Sequence, residues 1–289
     1  MRALAEFVMR SRLHAAAACV VLGIVPLGHW LSAAIVSLVL LRRGATEGAM
    51  LLLVAAIPLI GLYAVTGDPG PLIGLAGMVC LASVLRSSQS WPWTLATVLV
   101  VSALGSLAFE ALVAADIATL VEWYLTLMAG NATEATLAAD PEQARHLAGQ
   151  VIMGLFAMGQ AYAMIGFLVL ARWWQSLLFN PGGLRAEFYQ LRLPVPLAAT
   201  LVVLLALCVG LGTPEAMRWI PLLTVPLVMS AIGLVHWLVN NKGLSGHWLG
   251  GFYVLLILMY QLVSPLLASL ALMDSWFDLR KNFRSDREV

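Results

Sequence analysis

Long apolar stretches separated by short polar connections run through almost the whole chain. The first apolar run covers residues 15–41, and further runs follow at 48–65, 71–85, 93–115, 147–173, 194–211, 219–239 and 248–273. Most of them approach the roughly 20 residues that an α-helix needs to cross the hydrocarbon core of a bilayer. The pattern therefore predicts an all-α, polytopic transmembrane helical bundle of about 7–9 membrane segments, which forms a single integral membrane domain over residues 1–289.

The connections between these runs alternate in the type of charge that they carry. Basic connections contain Arg42 and Arg43, Arg86, the group Arg172, Arg185 and Arg192, and Lys242, and acidic connections with residues such as Asp68, Asp116 and Glu215 lie between them. Lys and Arg in short loops are retained on the cytoplasmic side of a membrane. We therefore predict a multi-pass protein of the bacterial inner membrane with the basic connections in the cytoplasm. Arg145 and Arg218 do not fit this alternation.

The first apolar run has two possible arrangements. It follows a basic N-terminal segment, residues 1–14, and is too long for the apolar region of a signal peptide. It forms either one tilted helix or two half-length helices broken near Pro26-Leu27-Gly28, and the two options place the N-terminus on opposite sides. The N-terminal arginines favour the broken, hairpin-like first segment, because they would then lie on the cytoplasmic side of the membrane together with Arg42 and Arg43.

Two connections are long enough to contain helices of their own. The side of the membrane on which the polar tail at 274–289 lies stays open. In the outer connection, residues 116–146, apolar residues from Ile117 to Met128 share one helical face before Gly130-Asn131. We expect an external amphipathic helix that lies flat on the membrane or packs over the mouth of the bundle. The connection at 175–193 is predicted to be a cytoplasmic loop with a short interfacial helix after Asn180. A break at Ser264-Pro265 would return the tail to the cytoplasm.

Composition narrows the possible functions. Apolar residues make up 61% of the chain, charged residues 11%, and the mean hydropathy is +0.91, which is far from a soluble domain. With a net charge of +1 and no cluster of Lys and Arg, we expect no nucleic-acid partner. Cys19, Cys80 and Cys208 have no paired spacing, so we expect no disulfide and no zinc site. The three His-Trp pairs have no ligand-type neighbours, and we predict no metal and no cofactor.

An enzymatic function has no support in the sequence. The chain lacks the His-Glu-x-x-His zinc motif, the Gly-x-Ser-x-Gly nucleophile elbow and a Walker-type phosphate loop. Ser245 and His247 lie near each other, but a third group to orient them is missing. We therefore predict that the protein is not an enzyme and has no catalytic residues.

Polar residues at membrane depth are the candidates for a ligand site, because such residues are costly unless they face the interior of the bundle. Glu110 either contacts a substrate or proton, or reaches the water at the outer headgroups. Gln150 and Gln160 lie among glycines and alanines, which favours helix packing, with a polar pocket lining as the alternative. In the pocket alternative, further hydrogen-bonding groups come from three residues: Tyr162, Tyr260 and Gln261.

The order of these landmarks resembles the YybS-like family of predicted bacterial membrane proteins. The resemblance rests on Leu40-Leu41-Arg42-Arg43-Gly44 after the proline-broken first segment, Gly67-Asp68, Gly233-Leu234-Val235-His236, and Met273-Asp274-Ser275-Trp276-Phe277-Asp278-Leu279-Arg280. It implies a bundle similar to the substrate-binding components of energy-coupling-factor transporters, which hold a vitamin or metal in an outward-facing pocket. It also implies a small-residue docking face on the first helix, where Ala15 to Ala18 lie. The family itself has no established activity.

Two hypotheses for function follow. In the first, the protein is a transporter-like, small-molecule-binding component with a polar outer pocket under the 116–146 segment. In the second, it is a non-transporting scaffold whose small-residue faces and basic loop dock a membrane-protein partner or form a homo-oligomer. The first predicts a closed polar cavity and the second a fully packed bundle. Both place the lipid bilayer around the chain.

Overall fold

A computed structural model gives the arrangement of residues 2–129 and 140–284, and in these residues every regular element is a helix. The first half of the chain contains α1 (Arg2–Arg10), α2 (Arg12–Ile24), α3 (Gly28–Arg43), α4 (Ala45–Thr66), α5 (Gly70–Ser88), α6 (Trp91–Leu112) and α7 (Ala114–Ala129). The second half contains α8 (Pro141–Phe179), α9 (Gly183–Gln190), α10 (Val195–Leu211), α11 (Pro214–Met217), α12 (Ile220–Asn241), α13 (His247–Leu258), α14 (Tyr260–Phe277) and α15 (Leu279–Arg284).

Five helical segments are long and apolar enough to cross a membrane. They are α4, α5, α6, α8, and α12 together with α11. Two bent pairs raise the number to seven if each pair is one span, namely α9 with α10, bent by 61°, and α13 with α14, bent by 118°. The prediction of an all-α bundle with several membrane-length helices is confirmed.

The first apolar run folds back on itself. The helix ends at Ile24, Leu27 adopts a left-handed conformation with φ 60°, and α3 begins at Gly28. The Ser32 hydroxyl donates a hydrogen bond of 3.2 Å to the Cys19 carbonyl. In a continuous helix these two residues would be about 20 Å apart along the axis, at 1.5 Å per residue. The contact therefore requires α2 and α3 to be antiparallel neighbours.

The centre of the bundle is formed by α3 and α12. Residues 32–41 of α3 are all buried, and so are residues 225–234 of α12. A membrane helix that is buried on all sides contacts other helices rather than lipid. Around this centre, α2, α4 and α5 pack on one side of α3, α8 passes between α3 and α12, and α14 packs on α12.

The outer connection differs from its predicted boundaries. The span predicted at 93–115 ends at Leu112, and after one non-helical residue the chain continues as α7. Ile117 and Val121 of α7 are buried in a small cluster with Ala148 and Met153 of α8, so α7 packs along α8. The helix α8 begins already at Pro141 and has 39 residues, about 58 Å at 1.5 Å per residue. It extends well beyond a bilayer core of about 30 Å. The predicted stop at Gly130-Asn131 lies outside the described residues.

The last apolar run is broken, but at a different residue from the one predicted. Pro265 lies inside α14, and the break occurs at Met259 between α13 and α14. Asp274, predicted to begin the polar tail, belongs to α14 and is fully buried. The predicted loop at 175–193 is also shorter, because α8 continues to Phe179.

Most arginines lie at one end of the bundle, and a group of glutamates lies at the other. Arg43 donates to the Met9 carbonyl, Arg86 to the Leu41 carbonyl, and Arg280 to the Tyr189 carbonyl. These bonds bring α1, the ends of α3 and α5, and α15 to one end, which we call the arginine end. The opposite end, where Glu110, Glu122 and Glu215 lie, we call the acidic end. Arg145 and Arg218 lie at the acidic end, where each is paired with a glutamate.

Candidate functional site

A polar cavity of about 580 Å³ lies at the arginine end. It is bounded by the ends of α3, α5 and α8 and by the short helix α9. Leu41 and Leu85 supply its apolar surface. Its polar lining consists of Arg86, Gln89, Arg172, Gln175, Asn180 and Glu187. With two arginines and one glutamate, the lining carries a formal charge of +1.

Arg86 completes the C-terminal end of α3. Its Nη1 donates hydrogen bonds to the carbonyl oxygens of Leu40 (3.2 Å) and Leu41 (2.6 Å). The last carbonyls of a helix have no partner within the helix. The Gly44 amide donates to that of Leu40, and the Arg86 guanidinium supplies the partner of Leu41. Gln175 of α8 donates to the same Leu41 carbonyl at 3.3 Å. Because both side chains donate to this one carbonyl oxygen, Arg86 and Gln175 lie side by side in the lining of the cavity.

Arg172 and Glu187 form the second charged wall. Arg172 donates through Nη2 to Glu187 Oε1 and through Nε to Glu187 Oε2, the latter at 3.2 Å. Trp91 Nε1 also donates to Glu187 Oε2, at 3.1 Å. The Arg172 side chain is 13% exposed and that of Glu187 is 35% exposed. The pair is therefore partly screened from water and joins α6, α8 and α9.

The helix α9 is held in place from both sides. The chain turns at Gly182, which has a φ of 86°, a left-handed conformation that favours glycine. The Ser176 hydroxyl donates to the Asn180 carbonyl and accepts from the Leu184 amide. After α9, Arg280 donates to the carbonyl of Leu191. The position of Glu187 at the cavity is thus set by contacts on either side of α9.

At the acidic end, two of the predicted site residues meet a partner that was not predicted. Arg218 is 8% exposed, and its Nη2 donates to Glu110 Oε2 at 2.9 Å while its Nη1 donates to Gln150 Oε1 at 3.0 Å. Its guanidinium also lies 4.7 Å from the centre of the Trp219 ring. Glu110 and Gln150 are therefore brought together, and the arginine takes up their hydrogen-bonding capacity.

Gln160 lies in a close contact between helices. It is 7% exposed, and a Cβ added to Gly105 of α6 would come within 2.8 Å of its Oε1. Among the described residues, that Oε1 has no hydrogen-bond partner. The glycine permits the approach of the amide to α6, as expected for small residues at helix contacts.

Tyr162 and Tyr260 also meet, away from Gln160. Their hydroxyls are 3.0 Å apart, their rings form an edge-to-face pair with centres at 6.1 Å, and Tyr260 donates to the Met158 sulfur. Gln261, the next residue, is exposed. The six predicted residues thus divide into the Arg218 cluster, the Gln160 contact, the tyrosine pair and the exposed Gln261, and none of them lines the cavity at the arginine end.

The cavity residues were not predicted from the sequence as a site. Arg86, Gln89, Gln175 and Asn180 each stand at the end of an apolar run, where polar residues are ordinary. A weak signal was available, because two glutamines stand within three residues of arginines at the ends of two spans. Within residues 2–129 and 140–284, no group of three or more His, Cys, Asp or Glu side chains is arranged to hold a metal ion. The residues that line the cavity offer hydrogen bonds and charge.

Comparisons with known proteins leave this description of the site as it stands. No family model matches the chain, and no curated protein and no solved structure matches it.

Proposed function

We propose that this chain is a multi-pass protein of a bacterial inner membrane that binds a small polar molecule in the cavity at the arginine end, in the manner of a transporter's binding component. The observation that carries the proposal is the cavity of about 580 Å³ with six polar residues in its lining. The volume lies within the roughly 300–1,000 Å³ of small-molecule sites, which are mostly apolar, and the more polar lining here suits a polar molecule. A bundle that served only as a scaffold has no need of such a space.

The proposed orientation places the arginine end in the cytoplasm. Nearly all lysines and arginines of the described residues lie at that end, and the two at the acidic end are paired with glutamates. Basic residues are retained on the cytoplasmic side. If the α2–α3 hairpin and the α13–α14 pair each count as one segment beside α4, α5, α6, α8, α10 and α12, the number of membrane segments is eight. Both termini then face the cytoplasm, and so does the mouth of the cavity.

In this proposal Gln150 has the helix-packing role that the sequence favoured, whereas Glu110 has a role that differs from both of its predicted alternatives. Their bonds to Arg218 support a function in holding α6, α8 and α12 together at the acidic end. The close approach of Gln160 to Gly105 supports a packing role in the same way. A ligand contact at Tyr162, Tyr260 and Gln261 stays a prediction, and so does membership of the YybS-like family.

Native mass spectrometry of the protein in nanodiscs tests the proposal. We expect the wild type to retain a non-lipid small molecule, and Gln89→Trp to lose it because the new ring fills the cavity. Ser87→Trp is the matched control, because Ser87 lies two residues before Gln89 at the end of α5, is exposed and does not line the cavity. Loss of the molecule on Glu110→Gln with retention in Gln89→Trp would place binding at the acidic end. A wild type without any bound small molecule would overturn the proposal.

The scaffold or oligomer function has one observation of its own. Open space surrounds Gly250 and Gly251 of α13 and Gly246 just before it, and glycines spaced by four let membrane helices approach closely. Ile257 and Leu258 near its end are about three-quarters exposed. If a second copy or another subunit packs here, the same mass spectra will show a multimer or a stoichiometric partner. Gly250→Leu would then dissociate the assembly.

A further inference from the structure

We propose that the cavity at the arginine end binds an oxyanion, a phosphate or carboxylate group, between the guanidinium groups of Arg86 and Arg172. This inference rests on the proposed function and names the chemical class of its ligand.

Each of the two guanidinium groups is only half engaged by the protein. Arg86 uses Nη1 for the carbonyls at the end of α3, and its Nη2 has no hydrogen-bond partner among the described residues. Arg172 uses Nε and Nη2 for Glu187, and its Nη1 likewise makes no bond in the part of the chain that the structure covers. Both side chains line the same cavity. Neither free amino group is buried without a partner, so both are open to water in the cavity, and an oxyanion that displaces this water supplies charged acceptors.

The protein contacts also keep the two arginines in place before a ligand arrives. The carbonyls of Leu40 and Leu41 fix Arg86, and Glu187 fixes Arg172. A guanidinium that is already held loses little conformational entropy when it binds an anion, and its planar donors match the geometry of phosphate and carboxylate. Gln89, Gln175 and Asn180 add amide groups around the remaining space.

Among the described residues of this lining, Glu187 alone is acidic, and it competes with the ligand. It neutralises Arg172 in the absence of a ligand, so the charge of the lining is +1 rather than +2. Glu187→Gln removes the carboxylate charge and keeps the size of the side chain. The charge of Arg172 is then no longer neutralised, and it acts on the ligand in full. The oxyanion site therefore makes a prediction that a purely structural ion pair does not make: Glu187→Gln binds an anion more tightly.

The test is a calorimetric titration of inorganic phosphate into the protein held in phosphatidylcholine nanodiscs. We expect saturable binding that Arg86→Gln weakens about tenfold or more, since a charge-assisted hydrogen bond is worth about 1.4 kcal/mol or more and 1.4 kcal/mol corresponds to tenfold. Glu187→Gln should strengthen it several-fold. Arg10→Gln, which makes the same change of net charge as Arg86→Gln but on an exposed residue outside the cavity, should leave binding unchanged.

A second arm distinguishes a soluble anion from a lipid headgroup. In nanodiscs that contain phosphatidylglycerol, native mass spectra show whether a phosphatidylglycerol molecule stays bound and whether Arg86→Gln removes it. Bound lipid that inorganic phosphate displaces identifies the headgroup as the source, and phosphate binding without bound lipid identifies a soluble anion. Either result supports the oxyanion site.

Other results would overturn the inference. If neither phosphate nor phosphatidylglycerol binds the wild type, or if Glu187→Gln weakens binding as much as Arg86→Gln does, the site does not select an oxyanion. Because a destabilised protein does not bind more tightly, the Glu187→Gln result is independent of any loss of folding in Arg86→Gln. A neutral molecule that is retained by the wild type and lost from Gln89→Trp would overturn the oxyanion and leave the proposed function intact.

Discussion

Arg218 and Glu110 are 108 residues apart in the chain, and the guanidinium of the first donates to the carboxylate of the second at 2.9 Å. The bond joins the end of α6 to the segment that leads into α12. Gln150 of α8 accepts from the same guanidinium, so three helices meet at one side chain. The arrangement accounts for an arginine at the acidic end, because its charge is balanced inside the protein.

Removing the Glu110 charge should lower stability more than removing an exposed charge. Glu110→Gln leaves the Arg218 side chain, 6% exposed, without its carboxylate. Since Glu110 itself is 37% exposed, we expect a moderate loss of about 1–2 kcal/mol. The measurement is the free energy of unfolding in detergent. Glu122→Gln is the control, because Glu122 and Arg145 are both more than half exposed, and it should cost less than about 0.5 kcal/mol. Equal losses in the two variants would contradict a role for the Arg218 cluster.

Alanine at two of the glycines in α8, Gly154 and Gly159, should change the stability of the protein in opposite directions. A Cβ at Gly154 would overlap the carbonyl oxygen of Arg218, whereas nothing lies within 4 Å at Gly159. We expect Gly154→Ala to lower the free energy of unfolding by about 1–3 kcal/mol through overpacking. Gly159→Ala should raise it by about 0.5–1 kcal/mol, because alanine loses less backbone entropy in a helix. Thermal unfolding of both variants checks this, and a stable Gly154→Ala would contradict the close contact between α8 and Arg218.

The ion pair between Arg280 and Asp274 should be among the most sensitive at the arginine end. The Asp274 side chain is 0% exposed and accepts from Arg280 Nε at 3.1 Å. Arg280→Gln leaves a buried carboxylate without its counter-charge, a change that costs about 3–5 kcal/mol in protein interiors. Arg2→Gln, which removes an exposed pair with Glu6, should change stability by about 0.5 kcal/mol or less. The ratio of the two losses in chemical unfolding is the quantity to measure, and a ratio near one would refute the prediction.

The orientation is tested by single cysteines at the two ends in a variant without Cys19, Cys80 and Cys208. Thr119 on α7 is exposed at the acidic end, and Ser245 between α12 and α13 is exposed at the arginine end. With the arginine end in the cytoplasm, a membrane-impermeant maleimide added to spheroplasts should label Thr119→Cys and leave Ser245→Cys unlabelled until the membrane is opened. The reverse pattern would invert the orientation.

The helices could be predicted from the sequence where a long apolar run has polar ends. The predicted run at 48–65 lies within three residues of the bounds of α4 at either end, and α5 begins one residue before its predicted start. The break in the last run could not be predicted in this way. Pro265 is tolerated inside α14, as prolines often are in membrane helices, and the actual break at Met259 has no glycine or proline to mark it. It lies beside the bond between Tyr260 and Tyr162, a tertiary contact.

The candidate site illustrates the same limit. Glu110 and Gln150 stood out as polar residues inside apolar runs, but their shared partner Arg218 is distant in sequence, and only its departure from the charge alternation marked it. The cavity is even harder to predict from the sequence, because Arg86, Arg172 and Glu187 come from three helices and each has an ordinary position near a helix end. Periodicity and charge indicate which face or end a residue occupies. They do not indicate which ends leave a space between them.

The most direct test of the central claim is the reactivity of one half-buried and one buried position toward a charged, membrane-impermeant thiol reagent. Gln175 lines the cavity, while Gln160 lies in the contact with Gly105. Labelling of the Thr119→Cys and Ser245→Cys variants shows how the membrane vesicles are oriented. In these vesicles, we predict that Gln175→Cys reacts from the arginine end alone and that Gln160→Cys reacts from neither end. Reaction of Gln160→Cys from the acidic end, with Gln175→Cys protected, would show that the binding space lies under α7 and would contradict the account.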